Sequence, residues 1–153
     1  MRIIIIAVIT SVVAVGLYAR VRFTDNGDGT VTDHGTGLVW QKCSYGQGAL
    51  DCSGAAGTRT WQEALQYCRN LPLAGRSWRL PNVNEIKSIV DYSTYNPVVN
   101  TALFPNTRAA HYWSSSTYVT SAANAWDVDF LYGMMSFFVK TNGNFVRCVA
   151  DGP

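Results

Sequence analysis

Charged residues are scarce in this chain. Asp, Glu, Lys and Arg make up 14% of its 153 residues, against roughly 25% in an average soluble domain. The 12 basic and 10 acidic side chains leave a formal net charge of +2, so there is no electrostatic case for binding nucleic acid. Repeats and low-complexity tracts are also missing, and the length suits one domain with a sizeable core.

Zinc-binding patterns are absent as well. The chain has no CxxC pair, and its two histidines, His34 and His111, lack the spacing of zinc ligands.

Residues 1–19 have the three-part pattern of a secretory signal. Arg2 gives a positive start, residues 3–15 are almost wholly apolar, and Ala19 is a small residue suited to signal peptidase. We expect residues 1–19 to be a cleaved signal peptide and residues 20–153 to form a single exported domain. The alternative is an uncleaved anchor, which would be the only membrane contact. About 17 residues is at the short edge for spanning a bilayer, which favours cleavage.

The four cysteines fit an oxidising compartment. They are Cys43, Cys52, Cys68 and Cys148. An even number in an exported chain predicts two disulfides, with three pairings open. Because Cys43 and Cys52 flank one Gly-rich loop, they are the natural local pair, which leaves Cys68 with Cys148.

Turn residues indicate several short strands. The Asn26-Gly27-Asp28-Gly29 run supplies positive φ angles for a tight hairpin between residues 22–25 and 30–33. Its spacing does not fit a calcium-binding loop, because the first and last ligand positions are not carboxylates. A loop is predicted at residues 43–59, and further strands at residues 38–42, 112–115, 125–130, 134–139 and 145–149.

Two capping-box patterns predict helices, which makes the fold α+β. Thr60 with Glu63 begins a helix over residues 61–71, and Asn82 with Glu85 begins another over residues 83–90.

The stretch at residues 78–82 joins the two helices and is expected to be scaffold. We expect Trp78 and Leu80 to be buried, and Arg79 and Arg147 to pair with Glu85 or an Asp, since a partly buried charge needs a partner.

Short motifs recur along the chain in an order and spacing that resemble one bacterial family. They are RFTDNGDGTVTD at residues 22–33, TGLVWQ at 36–41, TWQEA at 60–64, WRLPN at 78–82 with Glu85, YWSS at 112–115, AW at 125–126 and VRCV at 146–149. Together they resemble the family of the C-terminal domain of the Legionella collagen-like adhesin, and the resemblance covers essentially the whole mature chain. The motif residues expected to be structural are Trp61, Trp78, Arg79, Leu80, Pro81, Asn82, Trp113 and Trp126.

The resemblance implies a C-type-lectin-like fold: two helices packed on short antiparallel sheets, long loops, and a disulfide between the first helix and the last strand. That disulfide would again be Cys68–Cys148. Some members of the family are trimeric adhesin heads that bind sulfated glycosaminoglycans, and others belong to surface, pilus-associated or phage-related proteins. The resemblance therefore implies a bacterial secreted, periplasmic or cell-surface module that recognises a glycan or a surface protein. The alternative is a structural domain of a cell-surface or pilus assembly without a soluble ligand. The resemblance also implies assembly as a homotrimer, although the collagen-like stalk is absent here.

A sulfated ligand would need basic side chains, with arginine presenting a fork to the sulfate oxygens. By loop position the basic candidates are Arg59, Arg76, Arg108, His111 and Lys140. The aromatic candidates for stacking on a sugar are Tyr95, Tyr118 and Tyr132. The alternative is surface charge scattered without a common site.

A cofactor and catalysis are not expected. Asp127 and Asp129 share one face of a predicted strand and are weak calcium candidates, but a solvated polar face opposite Trp126 explains them more simply. Ser114 with His111 is the best available nucleophile–base pair, and strand-end hydrogen bonding explains that serine. Formylglycine-generating enzymes have a related fold but need free cysteines, so the chain is expected not to be an enzyme.

Overall fold

A computed structural model of the chain describes residues 21–152. The predicted signal peptide at residues 1–19 lies outside these described residues. Across residues 21–152 no helix is both long enough and apolar enough to cross a membrane.

The described chain is α+β, with nine short strands and two short helices. In chain order they are β1 (Phe23–Asp25), β2 (Thr30–Asp33), β3 (Leu38–Gln41), β4 (Thr58–Arg59), α1 (Trp61–Arg69), α2 (Val83–Ser88), β5 (His111–Thr117), β6 (Asn124–Asp129), β7 (Met134–Val139), β8 (Asn144–Phe145) and β9 (Val149–Asp151).

The strands form two sheets. A four-stranded antiparallel sheet has the order β1-β2-β3-β9, and a five-stranded sheet has the order β4-β8-β5-β6-β7. All pairs in the second sheet are antiparallel except β5 with β8. The prediction of short antiparallel sheets with two helices is therefore confirmed apart from this one parallel contact.

The β1–β2 hairpin closes through its Asn-Gly and Asp-Gly pairs, as predicted. Gly27 and Gly29 have φ angles of 75° and 85°, which side chains rarely adopt. The Asp25 carboxylate accepts the Gly27 N–H at 3.0 Å, and Asp28 accepts the Thr30 N–H at 3.1 Å. A Cβ on Gly29 would lie 2.6 Å from the Ala49 carbonyl oxygen, so the hairpin packs closely on the neighbouring loop.

Both helices begin at their predicted caps. At α1 the Glu63 carboxylate accepts the Thr60 N–H at 2.9 Å. At α2 Glu85 accepts the Asn82 N–H at 2.7 Å, and Asn82 accepts the Glu85 N–H at 2.9 Å. Each helix ends two residues before its predicted end, which is within the usual uncertainty of helix boundaries.

Both faces of the central strands are buried. Tyr112 of β5 lies in a core cluster with Ile86 of α2, whereas the next residue, Trp113, lies in a second cluster with Ala64 of α1. Since successive strand residues point to opposite faces, the five-stranded sheet has one helix against each face.

The segment at residues 78–82 locks the two sheets and α2 together. Trp78 and Leu80 are buried in the cluster under α1. Arg79 forms an isolated bridge with Val149 of β9, and its guanidinium donates to Glu85 at 2.8 and 2.9 Å and to Asp151 at 2.9 Å. The predicted burial of Trp78 and Leu80 and the predicted Arg79–Glu85 pair are confirmed.

Both predicted disulfides are present. Cys43–Cys52 closes a local loop, and Cys68–Cys148 joins α1 to the segment before β9 across 80 residues of sequence.

Two strand predictions need correction. Residues 145–149 do not form one strand, because Phe145 belongs to β8 in one sheet and Val149 to β9 in the other. Residues 146–148 cross between the sheets with their side chains buried, and this burial produces the apolar run that resembles a strand. Strand β4 falls within the predicted loop at residues 43–59. It has only two residues, Thr58 and Arg59, which is too short to show the alternation of a strand.

Candidate ligand-binding cleft

A ridge at residues 106–108 separates two cavities on the surface. One cavity, of about 410 Å³, is lined by Asn96, Pro97, Thr107, Arg108, Ala109, Ala110 and Phe145. The other, of about 380 Å³, is lined by Gln47, Gly54, Ala55, Ala56, Asn106, Thr107 and Arg108. We call the two cavities and this ridge the Arg108 cleft.

The walls of the Arg108 cleft are tied together by amide side chains. Gln47 donates through Nε2 to the Asn106 carbonyl at 3.2 Å and accepts the Ser44 N–H at 2.8 Å. Asn106 donates through Nδ2 to the Cys52 carbonyl at 3.0 Å. Because Cys52 is bonded to Cys43, the local disulfide loop and the ridge are held in one arrangement.

A buried polar network lies directly behind the ridge, with Arg147 at its centre. Arg147 donates through Nη2 to the hydroxyl oxygens of Thr107 at 2.8 Å and Ser44 at 3.3 Å. The Ser44 hydroxyl bonds to the Tyr112 hydroxyl at 2.8 Å, and the Arg108 N–H donates to that same Tyr112 oxygen at 3.1 Å. The network therefore connects Arg108, which carries the exposed charge, to the crossover between the sheets at residues 146–148.

The guanidinium of Arg147 has no carboxylate partner in the described part of the chain. The residue is 0% exposed, and its Nε and Nη1 atoms make no hydrogen bond to any described residue. Its charge lies over the rings of Phe104 and Tyr112, at 4.8 and 5.6 Å from their centroids. Burial lowers the pKa of Arg147, yet an arginine stays protonated in proteins. The predicted pairing of Arg147 with an acid is wrong.

The Arg108 cleft is therefore positively charged. Arg108 is exposed on the ridge, and Arg147 adds a second positive charge behind Thr107. None of the residues that line either cavity is acidic. Such a site favours an anionic group, and the Arg108 fork suits a planar or tetrahedral oxyanion.

Two further predicted ligand residues are sequence neighbours of residues that line the cleft, although neither lines it. Tyr95 is 78% exposed and precedes the lining residue Asn96. His111 follows the lining residue Ala110, and its Nδ1 is 3.0 Å from the Asp127 carboxylate.

Arg59 and Lys140 lie elsewhere, in fixed aromatic contacts. Arg59 stacks 4.3 Å from the ring centroid of Tyr45 and hydrogen-bonds to its hydroxyl; the two line a separate groove of about 410 Å³. The Lys140 ammonium lies 3.9 Å from the Trp61 ring centroid and donates to the Thr117 hydroxyl at 2.9 Å. Neither residue lines the Arg108 cleft.

The remaining candidates are spread over the surface. Arg76 is half-exposed in the loop after α1, and Tyr132 is exposed in the turn before β7. Tyr118 stacks on Phe137 with ring centroids 4.1 Å apart and meets Trp126 edge-on at 5.0 Å. Trp126 is half-buried rather than part of the core, because it lies opposite Phe137 of the outermost strand β7.

Asp127 does not lie on a solvated polar face as expected. It is fully buried, with one carboxylate oxygen 3.0 Å from His111 Nδ1 and the other accepting from Asn144 Nδ2 at 3.5 Å. Burial raises the pKa of Asp127, against the opposing effect of the His111 hydrogen bond. Asp129 is half-buried and accepts the Leu131 N–H at 2.8 Å.

Over residues 21–152 no three or more His, Cys, Asp or Glu side chains converge to hold a metal ion. The expected lack of a cofactor stays a prediction.

Sequence reasoning missed most of the cleft. Asn96, Asn106, Thr107 and Gln47 come from loops with no motif that marks them as neighbours. The one available signal was Arg147, a charged residue inside the apolar run Val146 to Val149, because a charge in such a run must be buried with unusual partners.

Comparisons with known proteins place the chain in a family. No curated protein matches its sequence. The model of the Lcl C-terminal domain family matches residues 29–150, a span that contains both helices, both disulfides and every residue lining the Arg108 cleft. The chain therefore belongs to the Lcl C-terminal domain family.

Proposed function

We propose that the chain is an exported, adhesin-like binding module whose Arg108 cleft takes a glycan that carries anionic groups, such as a sulfated glycosaminoglycan. The observation that supports this most directly is the pair of uncompensated positive charges at the cleft, one exposed on Arg108 and one buried on Arg147.

The chemistry of the lining suits a glycan in particular. Asn96 lines the cleft and is exposed, so its amide can meet sugar hydroxyls, and the exposed ring of Tyr95, the residue before it, can stack on a sugar face. A rigid frame behind these groups lowers the entropic cost of binding, and the Gln47 and Asn106 hydrogen bonds supply such a frame.

A binding assay on sulfated and unsulfated glycosaminoglycans tests this proposal. We expect Arg108→Ala to weaken binding of the sulfated chains by roughly 10- to 100-fold, the usual effect of removing a charge-assisted hydrogen bond. Arg76→Ala is the matched control, since it removes the same charge outside the cleft. Equal losses in the two variants would argue for diffuse charge attraction instead of a site.

Salt and calcium separate the remaining binding modes. Binding through the two arginines should weaken as salt is raised and should not change when calcium is chelated. Calcium-dependent sugar binding would instead point to Asp129 and its neighbours and would contradict the role given to Arg108.

We further propose a C-type-lectin-like arrangement for the domain and a secreted, periplasmic or cell-surface location. The Cys68–Cys148 bond between the first helix and the segment before the last strand supports the former, and two disulfides suit an oxidising compartment.

No enzymatic role is proposed for the chain. All four cysteines are in disulfides, whereas chemistry of the formylglycine-generating type needs free thiols. A thiol count on the native protein tests this, since reactive cysteines would reopen the enzymatic alternative.

A second candidate is a structural role in a surface or pilus assembly without a soluble ligand. The exposed apolar strand β7 favours it. A lack of binding to every glycan tested would support this role.

A further inference from the structure

The separate groove beside Arg59 and Tyr45 lies along helix α1. Its volume is about 410 Å³, which is within the roughly 300–1,000 Å³ of small-molecule sites. The residues that line it are Tyr45, Arg59, Glu63, Gln66, Tyr67 and Asn70. None of them lines the Arg108 cleft, so the two sites are distinct. We call this one the α1 groove.

One wall of the α1 groove is a single face of helix α1. Four lining side chains have the helical spacing i, i+3, i+4 and i+7: Glu63, Gln66, Tyr67 and Asn70. Residues at this spacing lie in one row along a helix. The adjoining face of α1 is buried through Ala64, so the helix packs on the core with one face and borders the groove with the next.

The opposite wall is a fixed pair of side chains, Arg59 and Tyr45. The Arg59 guanidinium lies 4.3 Å from the Tyr45 ring centroid and donates to the Tyr45 hydroxyl. A Cβ on Gly57 would lie 2.9 Å from a carbon of the Tyr45 ring, so a side chain there would displace the ring. The Tyr45 N–H donates to the Val146 carbonyl at 2.9 Å, which ties this wall to the crossover between the sheets.

Two tyrosine rings connect the walls. Tyr45 and Tyr67 form a T-shaped pair with ring centroids 4.7 Å apart. The Tyr67 hydroxyl accepts from Gln41 Nε2 at 2.8 Å, and the residue after Tyr67 is Cys68, which is bonded to Cys148. Both rings are therefore held in place before a ligand arrives, which lowers the entropic cost of binding.

The charges in the lining cancel. Arg59 supplies one positive charge and Glu63 one negative charge. The Glu63 carboxylate is already used, because it accepts the Thr60 N–H at 2.9 Å and the Thr60 hydroxyl at 2.8 Å. A lining without net charge gives no electrostatic advantage to an anion or a cation, so the α1 groove suits a neutral ligand, in contrast to the Arg108 cleft.

The amide side chains of Gln66 and Asn70 are exposed along the groove. An amide presents donors and an acceptor side by side. This arrangement matches neighbouring hydroxyls on a sugar ring, because each hydroxyl can both donate and accept. The rings of Tyr45 and Tyr67 add apolar surface for the C–H groups of a sugar.

We propose that the α1 groove is a second saccharide site, which takes a neutral sugar. Two exposed amides beside two fixed tyrosine rings, in a lining without net charge, support this assignment most directly. The proposal does not rest on binding of anionic glycans, because the groove and the Arg108 cleft have no lining residue in common.

Titration of the purified protein with neutral disaccharides, followed by backbone amide NMR signals, tests the proposal. The probes are lactose, cellobiose, maltose and N,N′-diacetylchitobiose. We expect at least one to bind with a dissociation constant on the order of 1 mM, as suits an open groove with few hydrogen bonds. Binding should shift the signals of Arg59, Gln66 and Asn70. Raised salt should leave it unchanged, because no ion pair forms with the sugar.

Gln66→Ala and Asn70→Ala should each weaken this binding roughly 3- to 10-fold, the effect of losing one neutral hydrogen bond. Gln62→Ala is the matched control. Gln62 is exposed on the same helix but does not line the groove, so its truncation should leave binding unchanged. Urea unfolding curves should show that all three variants are folded.

Three outcomes would overturn the proposal. They are no signal shift with any probe at about 50 mM, shifts at Asn96 and Arg108 in place of the groove residues, or a loss of binding in Gln62→Ala equal to that in Gln66→Ala. Arg108→Ala separates the two sites. It should leave binding of the neutral sugar unchanged while it weakens binding of sulfated chains, so either proposal can fail without the other.

Discussion

The guanidinium of Arg147 is held by hydroxyl groups and aromatic rings instead of a carboxylate. Two of its nitrogen atoms make no hydrogen bond to the described residues, and each buried unpaired polar group costs about 1–3 kcal/mol. The native state is therefore destabilised at this position, which is in keeping with the proposal that the charge serves ligand binding.

Arg147→Met tests the residue directly. Methionine has a similar volume and no charge, and the Ser44 and Thr107 hydroxyls keep their bonds to Tyr112 and to the Phe104 carbonyl. We expect the free energy of unfolding in urea to stay within about 1 kcal/mol of wild type or to rise, while binding of sulfated glycans falls. A loss of more than about 3 kcal/mol would show that the charge holds the crossover in place.

Trp78 is a core residue whose truncation should lower stability strongly. Its side chain is buried and its Nε1 donates to the Leu73 carbonyl at 2.8 Å. We expect Trp78→Ala to lower the free energy of unfolding by roughly 3–5 kcal/mol. Tyr95→Ala, at an exposed position, should change it by less than about 0.5 kcal/mol. A Trp78→Ala protein of normal stability would contradict the scaffold role of residues 78–82.

Helix α2 has only six residues, Val83–Ser88, and a helix this short is not stable by itself. Its position depends on Glu85, which closes the capping box with Asn82 and accepts two hydrogen bonds from Arg79. Burial alone would raise the pKa of Glu85, but the bonds from Arg79 and the Asn82 N–H outweigh it and hold this pKa below its usual value.

The contribution of Glu85 should therefore depend on pH. A lowered folded-state pKa stabilises the fold above the unfolded pKa, near 4.3, and this stability is lost as the pH falls through the folded-state value. Glu85→Gln keeps the capping box but removes the charge. We expect wild type to be more stable than Glu85→Gln by about 1 kcal/mol at neutral pH, and this difference to vanish in acid. A difference in urea unfolding that does not change with pH would exclude the ion pair as its source.

At the scale of the whole molecule, the two disulfides should differ in how much they stabilise the fold. Cys68–Cys148 joins residues 80 apart in sequence and Cys43–Cys52 joins residues 9 apart. In the chain-entropy model, replacing the first pair by alanine should cost about 4–5 kcal/mol and replacing the second about 3 kcal/mol. Thermal unfolding of the two double variants shows which one loses more stability. A larger loss of stability for the Cys43–Cys52 variant would contradict the model.

Features set by neighbouring residues were predictable from the sequence. The hairpin at Asn26 to Gly29 and the helix starts at Thr60 and Asn82 follow from turn and capping preferences of single residues. The pairing of Cys43 with Cys52 follows from their separation along the chain.

Features set by tertiary contacts were not predictable in the same way. Asp127 has the alternation of a surface strand residue, but Asn144 and His111 come from other strands to bury it. Arg108 was a candidate from its loop position alone. Its neighbours Gln47 and Asn96 lie in distant loops, so no local pattern could show that they form a cleft together.

The crossover at residues 146–148 also bears on when the protein can fold. Strand β8 before it completes one sheet, and strand β9 after it pairs with β3 near the start of the domain. Neither sheet can close until this last segment has been synthesised. Contacts between such distant residues form slowly. If the domain is exported as proposed, this delay leaves time for translocation before a stable fold would block its passage.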